Sequence, residues 1–472
     1  MARVSEGRNV FFRLGPAESG RAQCFAVQRG DVKKRINAFY HQPGFRVLDR
    51  ELNEQCGAMR TLRSLATGLT NGDHGGLNYV QHGVRYLRGQ SVTEHGLDLV
   101  DELYISEDEH ERMLRSEVIP GDVLFTIAGS IGHACVVRGV ERANINQAIV
   151  RVRPSPEIIP QYLADFLNSK YGKFQSNRLA NGGVQLNINF SEVGQIGVPI
   201  PPVVRQGELV AAMDAARAER RNKLASVDAL LTGLDDYVLA LLGLTQPRKD
   251  GRKVFAVSMS ALGSQARLNA DYFHPERILA LRALEHPTQE LDCPRLEQVV
   301  DFIRDQIRTP GPNYLSLANV QSNTGELVTT KEDVTGACSS FQRGDVLFAR
   351  LRPYLNKVHV AETDGCCSPE FHVLRVKNNK SLRPDYLAAI IRSSLTLAQT
   401  RHMMTGNTHP RLTNEDVMGL VIPVPNLGAQ EAVTIEARRR REDARRERAE
   451  ADAGWHGAKQ WFEGQLLRQV QS

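Results

Sequence analysis

An internal repeat constrains this chain more than any other feature. Residues 121–125 read Gly-Asp-Val-Leu-Phe, and residues 344–348 repeat that string without a change. Shorter matches flank both copies in the same order: Tyr-Leu at 86–87 and 314–315, Arg-Val at 151–152 and 375–376, and Pro-Ile-Pro at 199–201 against Pro-Val-Pro at 423–425. Colinear matches whose spacing drifts by a few residues are typical of a duplicated domain with loop insertions. The chain is therefore predicted to carry one domain-plus-helix unit twice.

A long helical segment follows each copy. Residues 205–242 contain no proline and no strand pattern, and their apolar residues repeat at spacings of four and three, as in a coiled coil. At 1.5 Å per residue this segment predicts a helix of about 55 Å. A polar stretch at 220–223 predicts a stutter in the apolar seam rather than the end of the helix. A second long helix is predicted from 427 to 470, and the two are expected to pack antiparallel and hold two domains apart.

The predicted fold class is α+β. Two tandem pseudo-symmetric domains, each a curled and mostly antiparallel β-sheet with helices, are separated by the two long antiparallel coiled-coil helices. The first domain is predicted at 1–203, the first long helix with its linker at 204–246, the second domain at 247–426 and the second long helix at 427–472. Within the first domain, 87–92 is predicted as a strand and 129–132 as an exposed hairpin tip.

Composition narrows the class of protein. The net charge is +5, which permits nucleic-acid binding without demonstrating it. No apolar run approaches the roughly 20 residues that span a bilayer, and no signal peptide is evident at the N-terminus. The seven cysteines form no Cys-x-x-Cys motif, so neither a disulfide framework nor a zinc site is supported. We expect a cytoplasmic protein.

Catalytic motifs are absent from the sequence. There is no phosphate loop, no Asp/Asn-Pro-Pro-aromatic tetrad of amino-methyltransferases, no pair of nuclease carboxylates with a lysine, and no His/Cys metal spacing. Histidines such as His133, His372 and His409 have no nucleophile or base near them in the sequence. The sequence therefore predicts a binding protein with no catalytic residues and no metal.

The order of these motifs resembles a known family. The Gly-Asp-Val-Leu-Phe string, the Gly-rich hairpin, Asn-Ile-Asn-Gln at 144–147, the Pro-rich exit and the long helix, all duplicated, resemble the DNA specificity subunit of type I restriction-modification systems. The second copy, with Arg-Leu-Arg-Pro-Tyr-Leu-Asn-Lys at 350–357 and Ser-Pro-Glu-Phe at 368–371, is similar to another common version of the same target-recognition domain.

The resemblance implies a target-recognition domain in each half, reading one part of a split DNA sequence. It also implies two modification subunits that dock on the long helices and methylate adenine, and a restriction/translocase subunit that joins them. S-adenosylmethionine, ATP and Mg are expected on those partners and no cofactor on this chain. A tandem duplication with diverged halves suits this role, because a homodimer would read a palindrome.

Residues that could contact double-stranded DNA must offer hydrogen-bond donors and acceptors to base edges or phosphates. The candidates are Arg88, Gln90, Thr126, Ser130, Asn181, Gln185 and Asn187 in the first half, and Arg350, Arg352, Asn356, Lys357, Asn407, Thr408, His409 and Arg411 in the second. Candidate partner-binding residues on the long helices are Leu209, Met213, Val227, Leu231, Leu234, Val238, Trp455, Trp461 and Phe462. The alternative for the helix seam is packing within the chain.

Two other functions remain open from the sequence. A stand-alone DNA-binding repressor predicts specific binding without any methyltransferase. A coiled-coil scaffold whose domains bind protein predicts no salt-sensitive DNA affinity. A neighbouring reading frame for a methyltransferase would separate both from the specificity subunit.

Overall fold

The structure is a computed structural model of the 472-residue chain. It describes residues 2–4, 9–16, 22–29, 32, 39–56, 58–73, 76–181, 187–246, 254–257, 270–285, 287, 291–308, 311, 313–330, 336–404 and 409–467. Helices and sheets occur together, as the α+β class requires. Among the described residues no helix is both long enough and apolar enough to cross a membrane.

The helices are α1 (Pro43–Gln55), α2 (Glu107–Arg112), α3 (Pro160–Asn168), α4 (Lys170–Leu179), α5 (Phe190–Val193), α6 (Val203–Leu241), α7 (Pro275–Glu285), α8 (Leu296–Val299), α9 (Pro384–Arg392), α10 (Ser394–Thr400), α11 (Asn414–Met418) and α12 (Leu427–Leu467). The long helices α6 and α12 are thus confirmed close to their predicted bounds. Helix α6 runs without a break through the polar stretch at 220–223.

The strands up to the first long helix are β1 (Ala2–Val4), β2 (Asn9–Pro16), β3 (Ala22–Gln28), β4 (Met59–Thr61), β5 (Ala66–Asn71), β6 (Tyr79–Val80), β7 (Val84–Leu87), β8 (Val92–Thr93), β9 (Gly96–Leu97), β10 (Tyr104–Ile105), β11 (Glu117–Val118), β12 (Val123–Thr126), β13 (Ala134–Val136), β14 (Ala143–Ile145), β15 (Ile149–Pro154) and β16 (Gly197–Pro199). Those after it are β17 (Val300–Ile303), β18 (Gln306–Ile307), β19 (Tyr314–Leu315), β20 (Cys338–Phe341), β21 (Val346–Ala349), β22 (Val358–Val360), β23 (Gly365–Cys367) and β24 (Phe371–Val376).

The chain divides into two compact units. Unit 1 comprises Met1–Arg221 and Ala451–Ser472, and unit 2 comprises Asn222–Glu450. Each unit therefore contains part of both long helices. In unit 1, Arg205 donates to Gln465 and Arg220 to Asp452, so the two helix segments run antiparallel. In unit 2, Lys223 pairs with Glu450, and Arg440 donates to the carbonyl oxygen of Leu230, which again gives an antiparallel pair.

Part of the sheet topology is shared by the two units. Unit 1 has a four-stranded sheet in the order β13-β12-β15-β5, and unit 2 has β22-β21-β24-β17. A second sheet contains β11-β14-β7 in unit 1 and β20-β23-β19 in unit 2. In each, the first pair is antiparallel and the second parallel. Among the described strands, the predicted mostly antiparallel pairing is therefore accompanied by one parallel strand pair in each unit.

Backbone conformation and burial explain why the Gly-Asp-Val-Leu-Phe string is repeated. The glycines at its start, Gly121 and Gly344, have φ of 92° and 93°, a backbone conformation that strongly favours glycine. The strand that follows, β12 or β21, is buried on both faces. Val123 and Phe125 face one core cluster of unit 1, and Leu124 faces another. A strand covered on both faces needs a continuous apolar run rather than alternation.

The aspartate of the string anchors the strand to its neighbour. Asp122 is buried and accepts two hydrogen bonds from Arg153, at 2.8 and 2.9 Å. In unit 2, Asp345 accepts two from Arg375, at 2.8 and 2.7 Å. The ion pair therefore aligns Arg375 with Arg153 and not with Arg151 of the Arg-Val match, whose side chain donates to the carbonyl oxygen of Glu117. A bidentate arginine fork compensates the burial of each carboxylate.

One predicted strand is wrong in its extent. Residues 87–92 do not form a single strand: β7 ends at Leu87, a 3-10 helix spans Gly89–Ser91, and β8 begins at Val92. The backbone N–H of Ser91 donates to the carbonyl oxygen of Arg88, and this hydrogen bond closes the turn. Alternating apolar residues indicated a strand, but local turn hydrogen bonds decided the structure here.

Candidate nucleic-acid interface

The hairpin of unit 1 joins β12 to β13. Gly129 and Gly132 have φ of 73° and 84°, which lets the chain reverse tightly. Thr126 is fully buried, and its hydroxyl donates to the carbonyl oxygen of Ser130. Ser130 itself is exposed at the tip. Thr126 therefore shapes the predicted hairpin, while Ser130 presents its hydroxyl to solvent.

Three segments far apart in the sequence meet at this hairpin. Ile188 N–H donates to the carbonyl oxygen of Ile127 at 2.9 Å, and Ala128 forms a β-bridge with Asn187. A Cβ at Gly89 would lie 3.7 Å from the carbonyl oxygen of Ala128. The turn with Arg88 and Gln90, the hairpin with Ser130, and the loop base at Asn181 and Asn187 are thus brought together.

The polar groups of this surface are partly engaged with one another. Arg88 forms an ion pair with Asp101, and Gln90 donates to the same carboxylate at 2.6 Å. Asn181 and Asn187 are paired through two backbone hydrogen bonds of 2.7 Å, and the Asn187 side chain is exposed. Gln185 lies outside the described residues. Asp101, which orients both Arg88 and Gln90, has no sequence motif around it and was not predicted.

The corresponding hairpin of unit 2 makes the same type of contact. Residues 350–357 connect β21 to β22, and Leu351 forms a β-bridge with Arg411. Arg352 N–H donates to the carbonyl oxygen of Pro410 at 2.8 Å, and Leu412 N–H to that of Arg350 at 3.0 Å. Hairpin and loop are therefore joined by backbone hydrogen bonds in both units. The candidate DNA-binding residues lie on these two segments.

Charges converge at the base of the second hairpin. Arg411 donates to both carboxylate oxygens of Glu370, at distances of 2.7 to 3.2 Å. These hydrogen bonds hold the pKa of Glu370 below its ordinary value. Burial, reinforced by the nearby charge of Arg350, lowers the pKa of His372 to about 4, so His372 is neutral at pH 7. Glu370 belongs to the Ser-Pro-Glu-Phe motif at 368–371, but its ion pair with Arg411 could be found only from the fold.

The remaining candidates of unit 2 divide into structural and exposed residues. Asn356 is buried and donates to the carbonyl oxygen of Arg392 at 2.9 Å, so it anchors the loop. Lys357 donates to the carbonyl oxygen of Leu317 at 2.7 Å. Arg352 and His409 are exposed. Asn407 and Thr408 lie outside the described residues.

The predicted partner-binding residues are mostly buried inside the units. Leu209, Met213, Trp455 and Phe462 belong to one core cluster of unit 1, and Val238 with the half-buried Leu234 belongs to a core cluster of unit 2. Val227 is buried and Leu231 half-buried. Trp461, at 42% exposure, is the member that remains open to solvent. The apolar seam of the long helices therefore packs within the chain, which is the alternative to partner binding.

One cluster has the side-chain types of a metal site. The ligand atoms of His274, Glu276 and His402 lie within 4.8 Å of one another. Arg401 donates to one oxygen of Glu276 at 2.6 Å, and His402 contacts the other at 3.1 Å. The carboxylate is thus already neutralised and hydrogen-bonded without a metal. No sequence spacing indicated this cluster, because His402 is 126 positions from Glu276.

Comparisons with known proteins bear on the hairpin of unit 1 directly. The family model of the type I restriction modification DNA specificity domain matches residues 116–225. Two specificity subunits from Escherichia coli, those of the type I restriction enzymes EcoBI and EcoDI, are 27% identical over 159 and 147 residues.

The predicted resemblance is confirmed.

The matched parts are limited in extent. They cover 32% and 29% of this chain, and 34% and 32% of the EcoBI and EcoDI subunits. The chain therefore spans about a third of the length of these relatives. Among solved structures, a type I S subunit from M. genitalium is 13% identical, with a TM-score of 0.39 over 87% of this chain and 95% of that chain. A chain from a type I R-M system is 14% identical, with a TM-score of 0.48 over 87% and 97%.

The segment that matches the specificity-domain model contains most of the candidate surface of unit 1. Residues 116–225 include the hairpin, the loop base at Asn181 and Asn187, and the first part of α6. They also include Asp122 and Arg153, whose ion pair recurs in unit 2. The turn with Arg88 and Gln90 precedes the matched segment and lies close to it, since a Cβ at Gly89 would be 3.7 Å from the carbonyl oxygen of Ala128.

Proposed function

We propose that this chain is the sequence-specific DNA-recognition subunit of a type I restriction-modification complex. It reads a bipartite target and directs adenine methylation and restriction by partner subunits. The observation that carries the proposal is the match of residues 116–225 to the DNA specificity domain, a segment that contains a hairpin joined to an amide-bearing loop.

The proposal extends to two recognition domains, one for each part of the target. It is supported by the four-stranded sheet order that the two units share and by the repeated hairpin–loop bridges. The loops differ between the units: Ser130 is the exposed polar residue of one tip and Arg352 of the other. Different donors and acceptors read different base edges. The expected target therefore has two unlike half-sites. The antiparallel long helices are proposed to act as the pseudo-symmetric spacer of the protein.

The chain itself is proposed to be non-catalytic and to act in the cytoplasm. Two modification subunits would carry S-adenosylmethionine, and a restriction/translocase subunit would carry ATP and Mg. Since the seam residues of α6 and α12 are largely buried, such partners would meet the exposed faces of these helices, which include Trp461.

Sequencing of modified bases in the host tests this function. We expect one bipartite motif with methylated adenine in each strand, and we expect it to disappear when the gene for this chain is deleted. Re-expression of the chain should restore it. Persistence of every methylated motif after deletion would contradict the proposal. Specific DNA binding by the purified chain without any such motif would instead favour a repressor.

A further inference from the structure

The hairpin of unit 2 exposes two large apolar side chains at its tip. Tyr354 is 46% exposed and Leu355 is 36% exposed. They lie in a 3-10 turn, Pro353–Leu355, between β21 and β22. Single exposed apolar residues are common on proteins. Here an aromatic and an aliphatic side chain are exposed next to each other on a candidate DNA-binding hairpin.

The backbone holds this pair outward in a fixed conformation. Arg352 and Asn356, on either side of the turn, are both left-handed, with φ of 49° and 52°. Non-glycine residues adopt this conformation at a cost, and they do so at sites where the surroundings enforce it. Here Pro353 and the side chain of Asn356 are buried, and Asn356 donates to the carbonyl oxygen of Arg392. The turn is therefore anchored on its inner side and presents Tyr354 and Leu355 on its outer side.

The surroundings of the pair favour DNA over a protein surface. Arg352 is exposed beside it, and the same loop carries the half-buried Arg350. The bridge to Arg411 joins this loop to the second segment of the candidate interface. Guanidinium groups beside an apolar tip suit phosphates flanking a base step.

The hairpin of unit 1 provides an internal contrast. Its one large apolar tip residue, Ile131, packs against the core of unit 1. Its exposed tip residues are Gly129 and Ser130. A tip without an exposed apolar side chain has nothing to place between bases.

We propose that Tyr354 and Leu355 form an apolar wedge that inserts at a base step of the half-site read by unit 2. The inference rests on the proposed function and adds an asymmetry to it: DNA is distorted at one half-site and not at the other. Apolar side chains of DNA-bending proteins unstack base steps in this way, and flexible pyrimidine–purine steps yield most easily. The second half-site is therefore expected to contain such a step.

Base-stacking probes test the wedge. The probe is a duplex carrying the methylated motif, with 2-aminopurine or pyrrolocytosine substituted at one position at a time, bound by the full chain with its modification subunits. The target adenines are left unsubstituted, because methyltransferases flip their target base out of the stack. At the other positions we expect a several-fold fluorescence increase at one step of the second half-site and no increase in the first. Tyr354→Ala should abolish the increase and weaken binding roughly tenfold. Tyr354→Phe should retain both, because the ring and not the hydroxyl fills the step.

Matched variants separate the wedge from general damage. Leu355→Ala should reduce the increase partially, and Leu279→Ala, a 43% exposed leucine of α7, should leave it unchanged. Specific binding of the wild type without any increase in the second half-site overturns the wedge, as does a Tyr354→Ala variant that keeps the full increase. A Tyr354→Ala variant that loses its modification subunits while its DNA signal persists overturns it in favour of a protein contact. Absence of any specific DNA binding by the wild type overturns the proposed function itself.

Discussion

At the scale of single residues, the two units share an ion pair between the aspartate of the Gly-Asp-Val-Leu-Phe string and an arginine of the neighbouring strand. Asp345 is 1% exposed, so replacing it with asparagine leaves the Arg375 fork without its charged partner. We expect Asp345→Asn to lower the free energy of unfolding by about 2 kcal/mol, below the full cost for a buried pair because Arg375 is partly exposed. Denaturant unfolding measures this. Glu54→Gln breaks the exposed Arg50–Glu54 pair and serves as the control, with a loss below about 0.5 kcal/mol; equal losses would contradict the reason given.

A second residue-scale prediction concerns pH. Burial raises the pKa of Glu94, but hydrogen bonds and charges from Lys459 and Lys173 outweigh it and lower the pKa from 4.5 to about 2. A depressed folded-state pKa gives stability that is present above pH 4.5 and is lost as pH falls towards 2. We expect Glu94→Gln to cost about 2 kcal/mol at pH 7, allowing for partial exposure, and to cost almost nothing near pH 2. Unfolding free energies of both proteins across this range provide the measurement; a difference independent of pH would refute the assignment.

At the scale of elements, glycines in the long helix α12 limit its stability. Gly454 is exposed in mid-helix, and a Cβ there would meet no atom within 4 Å. Gly454→Ala is therefore expected to stabilise the chain by about 0.5–1 kcal/mol through helix propensity. Gly233→Ala in α6 is the contrasting variant, because its Cβ would lie 2.8 Å from an Arg440 guanidinium nitrogen. Its gain should be smaller or absent in thermal unfolding. A loss of stability from Gly454→Ala would mean that the added methyl group meets other atoms, contrary to the open space around Gly454.

At the scale of the whole molecule, the prediction is modular recognition. Replacing residues 252–425 with the matching half of a related protein should change one half of the methylated motif and leave the other half intact. The physical reason is that each unit has its own core clusters and its own hairpin–loop bridge. The readout is the methylated motif of the hybrid in cells. A hybrid that methylates a target altered in both halves would show that the halves do not read independently.

The sequence by itself determined the α+β class and the bounds of the two long helices, and it predicted the duplication. These depend on local chemistry: a left-handed glycine, a buried apolar run and a period near 3.6 residues act over a few neighbours. It also selected the two hairpins and loops that meet in each unit. Only the tertiary structure decided that Thr126 and Asn356 anchor their hairpins from within, and that Asp101 and Glu370 hold the nearby basic and amide side chains. It likewise decided that Trp455 is buried while Trp461 is exposed, because burial depends on which surface packs against a residue and not on its type.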